Sequence, residues 1–378
     1  MGRIKVLYTH QGTLPSYRMG LVKALIKSTE NSDTHHFSFV FDKKVNEHEK
    51  LGNPDVSEVA ENLTLVNTFY LAGIIKLQGW LPEALKSDVI IIENCLNNLT
   101  NILLLGLNIF FRKRIIVLGH DDFSFYNKRT FSGPKAFLWN TFGHGFLFYT
   151  FLENSSNKSI TIPRDYYNNF NDEVDVELVK KSFSSRDSIR KQLGVSSESK
   201  VALYVGRMDK TKGFDGDFCD IIAGLSNSQG IHFVFIGFSK EEFIYSNLFD
   251  SAKTTYLPFI SNPAELTDYF IAADIYFHPG TIGLGPIRAI QHGLRPICFG
   301  RKQHNPEVAY CDARNTIFIN RNEDLEWAFS QALMESSSLD SRLSVIDTLS
   351  WLSNDISSSR IRRFIQQIAN PKDHILPV

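Results

Sequence analysis

The sequence predicts an α/β protein built from two doubly wound domains. Three observations point there. Short apolar runs alternate with longer amphipathic stretches along the chain. The apolar runs are continuous, as strands buried on both faces of a parallel sheet require. The series occurs twice, on either side of the polar cluster Tyr166-Tyr167-Asn168-Asn169-Phe170-Asn171-Asp172. At 378 residues the chain is long for one core and comfortable for two. The expected domains are 1–168 and 169–355, with 356–378 as a closing helix and tail.

In the first half the strand signals are Ile4–Thr9, Phe37–Phe41, Leu63–Val66, Val89–Glu93, Ile115–Gly119 and Phe146–Tyr149. Helical spacing lies between them at Tyr17–Ile26, Ile74–Leu85, Leu99–Phe111 and Lys135–Thr141. The second half gives strands at Val201–Gly206, His232–Gly237, Thr255–Leu257, Ile275–His278, Arg295–Phe299 and Thr316–Ile319. Its helices are Phe214–Leu225, Lys240–Asp250, Ala264–Ala272, Pro286–His292, Leu325–Met334 and Leu339–Leu352, and Ile361–Ile368 closes the chain. In open parallel sheets ligands bind beyond the carboxyl ends of the strands, so two such domains are expected to face a central cleft lined by those ends.

Composition narrows the function. With 40 basic and 41 acidic residues there is no overall basic field, so nucleic-acid binding as the main role is not expected. The four cysteines form no C-x-x-C pair, which gives no zinc or redox signature; Cys95 and Cys298 read as small core residues. Met1 to His10 runs straight into a strand pattern without a signal peptide, so the expected compartment is cytoplasmic and the Asn-x-Ser/Thr triplets at Asn62, Asn98, Asn154 and Asn157 read as chance. No apolar run approaches the roughly 18 to 20 residues of a spanning helix. Ile102 to Phe111 is the nearest, and Arg112, Lys113 and Arg114 follow it. This segment reads as a core helix or as one that rests on a membrane surface.

Two segments carry chemistry. The strand Val201–Val205 runs into Gly206-Arg207-Met208-Asp209-Lys210-Thr211-Lys212-Gly213 and then a helix. A strand, a turn flanked by glycines and a helix start make an anion site, and Arg207 and Lys212 add a planar fork and a point charge suited to a diphosphate. The second segment runs from His278 through Gly280, Thr281, Ile282, Gly283 and Leu284 to Gly293. Its glycines let backbone N–H groups approach a ligand, Pro286 suits a first helical turn, and Arg288 lies just beyond. It is neither a dinucleotide fingerprint nor a P-loop. In the first half His120 and Glu93 stand at strand ends and are the candidate catalytic residues, with His10 behind them. Gly12 and Thr13 lie in the loop after the first strand. His35, His36 and Glu47-His48-Glu49 lack a third ligand and read as surface rather than metal site, and no metal is expected. His144 reads as structural, and Arg360, Arg362 and Arg363 as a solvated helix face.

These two segments, in this order, resemble the retaining family-4 glycosyltransferases of GT-B fold. In that family G-R-x-x-x-x-K-G opens the donor domain, and Gly206, Arg207, Lys212 and Gly213 match it position for position. Gly283, Leu284, Ala289 and Gly293 match the frame of its second motif, and Asn305-Pro-Glu307 looks like a segment that follows the next strand in related enzymes. Leu14-Pro15-Ser16-Tyr17-Arg18 and Gly119-His120 are similar to stretches of bacterial capsule and surface-polysaccharide transferases. One departure stands out: the family's two motif glutamates, eight positions apart, fall on Gly280 and Arg288.

The resemblance implies transfer of a sugar from a UDP- or GDP-type nucleotide sugar to a hydroxyl of a glycan or lipid-linked acceptor, with retention of configuration. It implies no metal and no cofactor beyond the donor, at the cytoplasmic face of a membrane. The donor is expected at Gly206, Arg207, Lys212, Gly213, Ile260, Gly280, Thr281, Ile282, Gly283, Leu284 and Arg288, with Gly12 and Thr13 from the first half. No D-x-D element lies between a strand and a loop, which leaves the metal-dependent GT-A alternative unsupported. A non-catalytic GT-B subunit that binds a nucleotide sugar and a nucleotide-sugar epimerase are the competing readings.

Overall fold

In a computed structural model, the structure describes residues 2–15, 18–30, 34–43, 56–71, 75–95, 97–119, 132–149, 162–167, 176–196, 198–208, 210–237, 242–249, 253–260, 262–300, 306–335 and 338–370. The chain divides into two compact units. The first comprises Met1–Asp172 and Leu352–Val378, and the second Glu173–Trp351. The stretch expected as a separate tail thus belongs to the first unit.

Chain order in the first unit is β1 (Ile4–Thr9), α1 (Met19–Glu30), β2 (His35–Asp42), β3 (Leu63–Val66), β4 (Thr68–Leu71), β5 (Ile75–Gln78), α2 (Leu81–Leu85), β6 (Val89–Glu93), α3 (Leu99–Phe111), β7 (Arg114–Gly119), α4 (Ser132–Phe142), β8 (Gly145–Phe148) and β9 (Arg164–Tyr166). Among the described residues, seven strands form one sheet in the order β3-β2-β1-β6-β7-β8-β9, and all neighbours are parallel. Side chains of alternate parity fill the two faces: Val6, Tyr8, Phe37 and Phe39 on one, Leu7, Val40, Ile90 and Ile92 on the other. This two-sided burial is why the strands read as continuous apolar runs.

The second unit runs α5 (Val176–Ser184), α6 (Arg186–Gln192), β10 (Lys200–Val205), α7 (Gly216–Gln229), β11 (Ile231–Ile236), β12 (Thr254–Leu257), α8 (Pro263–Ala272), β13 (Ile275–His278), α9 (Leu284–Gln291), β14 (Pro296–Phe299), β15 (Ile317–Ile319), α10 (Leu325–Glu335) and α11 (Leu339–Asp347). Its six strands are parallel in the order β12-β11-β10-β13-β14-β15. Phenylalanine dominates one face, where Phe214, Phe218, Phe233, Phe235 and Phe277 pack as a continuous aromatic core. The chain then re-enters the first unit as α12 (Asn354–Ala369), which packs on α1 and β9.

Sequence expectations change at several places. Ile74–Leu85 is not a helix: β5 pairs antiparallel with β4, Gly79 follows, and only Leu81–Leu85 is helical. Spacing of the apolar residues fits a helix there, but Gly79 and Pro82 interrupt it. Within Lys240–Asp250 the described residues form only a 3-10 turn at Ser246–Phe249. The short strand β9 and the helices α5 and α6 add to the expected elements. Finally, Arg360 is not a free surface group: its Nη2 lies 2.7 Å from Asp165 Oδ1 and its guanidinium sits over the Tyr166 ring. Arg362 acts on buried His35.

Candidate active site

In each unit the strand order reverses direction at one point, and an open parallel sheet binds ligands there, beyond the strand carboxyl ends. In the second unit the reversal lies between β10 and β13, which pair through Ala202↔Ile275 and Leu203↔Tyr276. The two loops that leave these strands are the two motifs singled out from the sequence.

The loops interlock. A Cβ on Gly213, whose φ is +84°, would lie 2.5 Å from the Pro279 carbonyl oxygen, and one on Gly280 would lie 2.6 Å from that of Lys212. Such distances are below any normal contact, so both positions require glycine. At Gly280 the Lys212 backbone fills the space that a side chain would need. The Tyr204 hydroxyl donates to the Arg207 carbonyl at 2.7 Å and fixes the start of the first loop beside Gly206. His278 Nε2 donates to the Thr281 carbonyl at 2.9 Å and fixes the second. Thr281 and Gly283 are partly exposed while Ile282 is buried beneath them.

The two helix starts differ. At α7 the Asp215 side chain accepts from Phe218 N at 3.0 Å, so a carboxylate already occupies that N-terminus. At α9 no side chain caps the first turn, and Gly283 is the N-cap. The N–H groups of Gly283, Leu284 and Gly285 precede the first intrahelical donor, and with the positive helix end they make the arrangement an anion needs. Arg207 is exposed, Lys212 is partly buried in the adjoining loop, and Arg288 lies half-buried on α9. Ile260 follows β12 and packs on the apolar cluster of Leu203, Ile236 and Tyr276. At the opposite end of β13, Asp274 is held by Arg190 at 2.6 Å, Arg186 at 2.5 Å and Val201 N at 2.8 Å, which fixes the two strands that present the loops.

A residue the sequence left unassigned joins this unit. Glu307 stands in a 3-10 turn after β14 that packs on α9. Its side chain is buried, Oε2 has no hydrogen-bond partner among the described residues, and burial pushes its carboxyl pKa up.

In the first unit the reversal lies between β1 and β6. Glu93 ends β6 and His10 follows β1. Glu93 Oε1 meets His10 Nδ1 in a short contact and accepts from Arg18 Nη1 at 3.2 Å, while Oε2 accepts from Gln11 N at 3.2 Å. Arg18, nearly fully buried, also donates to the Tyr149 hydroxyl at 3.0 Å. Burial opposes the Glu93 charge, but His10, Arg18 and Gln11 N outweigh it and hold the carboxyl far below the usual range. Both its oxygens are engaged, so Glu93 is built to orient rather than to take up a proton. The carboxylate requires hydrogen on His10 Nδ1; two lone pairs could not sit so close. Arg18 Nη1, 2.9 Å from that nitrogen, therefore directs its hydrogen to Glu93. Nε2 is the ring nitrogen that the carboxylate does not hold.

The loop between is pinned as well. His10 O accepts from Gln78 Nε2 at 3.1 Å, Gln11 O from Lys76 Nζ at 3.3 Å, and Gly12 O from Asp42 N at 2.9 Å. Gly12 and Thr13 are thus held beside the His10 cluster in the first unit, while the other expected donor-binding residues lie in the second. His120 lies outside the described residues. His144 is structural, its Nδ1 accepting from Ile115 N at 3.2 Å. No group of three possible metal ligands occurs among the described residues.

Residues 185–344 match the family model "Glycosyl transferases group 1". No curated protein matches the chain by sequence. Solved structures do match by shape. HepE of Anabaena in complex with UDP has a TM-score of 0.67 at 14% identity, covering 96% of this chain and 100% of its own. A glycosyltransferase from Rickettsia africae gives 0.64 at 11% identity, over 99% and 100%. The fold is GT-B. The UDP-GlcNAc 2-epimerase of Methanocaldococcus jannaschii is also similar, with a TM-score of 0.55 at 13% identity over 96% and 99%. The GT-B fold alone therefore does not choose between transfer and epimerisation.

Proposed function

We propose that this protein is a glycosyltransferase that moves a sugar from a UDP- or GDP-type nucleotide sugar to a hydroxyl of a glycan or lipid-linked acceptor. The pathway is assembly of a bacterial surface polysaccharide or glycolipid, at the cytoplasmic face of a membrane. The observation that carries the reading is the pair of interlocked glycine loops at the β10/β13 reversal, beside an uncapped α9 and within the segment that matches the group 1 family. The donor diphosphate meets Arg207, Lys212 and the N–H groups of the Gly280–Leu284 loop and α9. Negative charge grows on the leaving diphosphate in the transition state, and fixed cations and amide dipoles stabilise it there without a metal.

Retention of configuration follows the resemblance to family 4: the acceptor attacks the face from which the diphosphate departs, and a phosphate oxygen receives its proton. His10 Nε2, oriented by Glu93, hydrogen-bonds a substrate hydroxyl, and His120 is proposed for the same role. Glu307 supplies a carboxyl for sugar or ribose hydroxyls in place of the glutamates absent at 280 and 288.

Thermal shift with UDP, GDP and their sugars tests the donor site. A ligand that binds only the native state raises the melting temperature. One base is expected to stabilise the wild type, with affinity falling roughly 100-fold in an Arg207→Ala, Lys212→Ala variant, as loss of charge-assisted hydrogen bonds implies. Failure of every nucleotide to bind the wild type would remove the proposal. The absent motif glutamates favour a second reading, nucleotide-sugar binding without turnover; binding with no transfer to any acceptor and no hydrolysis would select it.

A further inference from the structure

The β4–β5 hairpin wears its apolar side outward. Its register pairs Phe69 with Leu77 and Leu71 with Ile75, so these four side chains share one face. Each is 40% exposed or more, and Phe69 and Leu71 reach 65% and 66%. The opposite face carries the polar ties. Lys76 stacks on Tyr70 and reaches Gln11 O, while Gln78 is buried against Asp42, Asn98 and the His10 carbonyl. A soluble two-stranded ribbon ordinarily turns its apolar face to the core.

The neighbouring helix repeats the inversion. β5 is fastened to the start of α3 by Lys76 N to Asn97 O at 2.8 Å and Gln78 N to Thr100 Oγ1 at 2.8 Å. On α3, Thr100, Asn101, Leu104, Leu105 and Asn108 are buried, while Ile102, Leu103, Ile109 and Phe110 are exposed, Phe110 to 79%. The outer side of the helix, where Ile102 and Ile109, and Leu103 and Phe110, lie two turns apart, is thus apolar where a surface helix is normally polar. Arg112, Lys113 and Arg114 follow at its end. No acidic residue occurs from Asn62 to Pro82 or from Asn94 to Arg114.

We propose that this face, the outer side of the β4–β5 hairpin together with α3, docks on an anionic phospholipid bilayer. Apolar side chains enter the headgroup boundary, and the Arg112–Arg114 cations meet lipid phosphates. The apolar area ends on the basic run Arg112–Arg114, and cations beside an exposed apolar face suit an anionic lipid surface. The hairpin is also tied to the loop at His10 and Gln11, so docking brings the bilayer beside the acceptor-side cluster of the same unit. The inference deepens the lipid-linked acceptor reading but does not depend on the donor site.

Co-sedimentation with vesicles tests it, using phosphatidylcholine alone and phosphatidylcholine mixed with phosphatidylglycerol. The wild type is expected on the mixed vesicles only, with binding that weakens as salt rises. An Arg112→Asn, Lys113→Gln, Arg114→Gln variant should lose roughly 100-fold in affinity, at the usual contribution of each cation near an anionic surface. A Leu71→Ser, Phe110→Ser variant should fall to background. Thermal shift with the donor nucleotide stays as in wild type for both variants, which shows that they fold and keeps this test separate from that of the donor site. Wild-type protein that ignores the mixed vesicles overturns the proposal. So do variants that bind like wild type, or a wild-type dimer in solution that Phe110→Ser dissociates, since the face would then join two copies of the chain.

Discussion

Glu93 carries a negative charge into a nearly closed environment, and its partners decide what it can do. Arg18 and the Nδ1–H of His10 meet one oxygen, and Gln11 N donates to the other. The imidazole is thereby fixed in one tautomer and one orientation. His10→Ala should lower kcat/KM by roughly 100-fold, the typical contribution of a positioned acid–base or hydrogen-bonding group, with little change in melting temperature because the ring is partly exposed. Glu93→Gln should lower the rate as well and also destabilise the first unit by about 3 kcal/mol, since Arg18 is left buried with its charge uncompensated. Steady-state kinetics on both variants beside their thermal melts separates the two roles; a Glu93→Gln protein as stable as wild type would refute the buried pair. Sequence reading found Glu93 from its place at the end of an apolar strand. It ranked His10 low because the contact that distinguishes it spans 83 positions of the chain.

At the scale of elements, the two glycine loops show how two turns from separate strands become one surface. Gly280 is required by the backbone of the other loop, and Gly213 both by that backbone and by its own φ of +84°. A Gly280→Ala variant should lose about 1–3 kcal/mol of stability through overpacking against Lys212 and bind nucleotide more weakly. Chemical denaturation and nucleotide titration check this, and an alanine accepted without loss in either would show that the loops can part. The motif positions were legible in the sequence because glycine, arginine and lysine keep their spacing within one turn. The need for glycine at 280 was not legible, because the obstructing atom belongs to Lys212, a loop away. The β4–β5 hairpin was misread for a related reason: over so short a span, apolar residues at 74, 75, 77, 80 and 81 suit a helix period as well as a strand pair.

For the whole molecule, α12 has the largest consequence. It leaves the second unit and covers α1 and β9 of the first, burying Ile361, Phe364, Ile365 and Ile368. His35 at the start of β2 is buried, and burial together with Arg362 of α12 pushes its pKa down to about 4. The unfolded chain restores the ordinary value near 6.5. Stability from the neutral imidazole is thus complete above about pH 6.5 and is lost as pH falls from there toward 4. Thermal melts between these values should show a falling midpoint in wild type and a shallower fall in His35→Phe; equal slopes would exclude His35 as the source.

The sequence by itself determined the class of fold, most strand positions and the two glycine loops that leave β10 and β13, because these depend on local periodicity and on residue types within one turn. Only tertiary structure decided that Glu93 serves His10, that Gly280 yields to Lys212, that the hairpin beside α3 faces outward with its apolar side, and that the last helix belongs to the first unit. Each of these is a contact or an exposure between segments far apart in the chain, and short-range pattern carries no record of which distant backbone will fill a space.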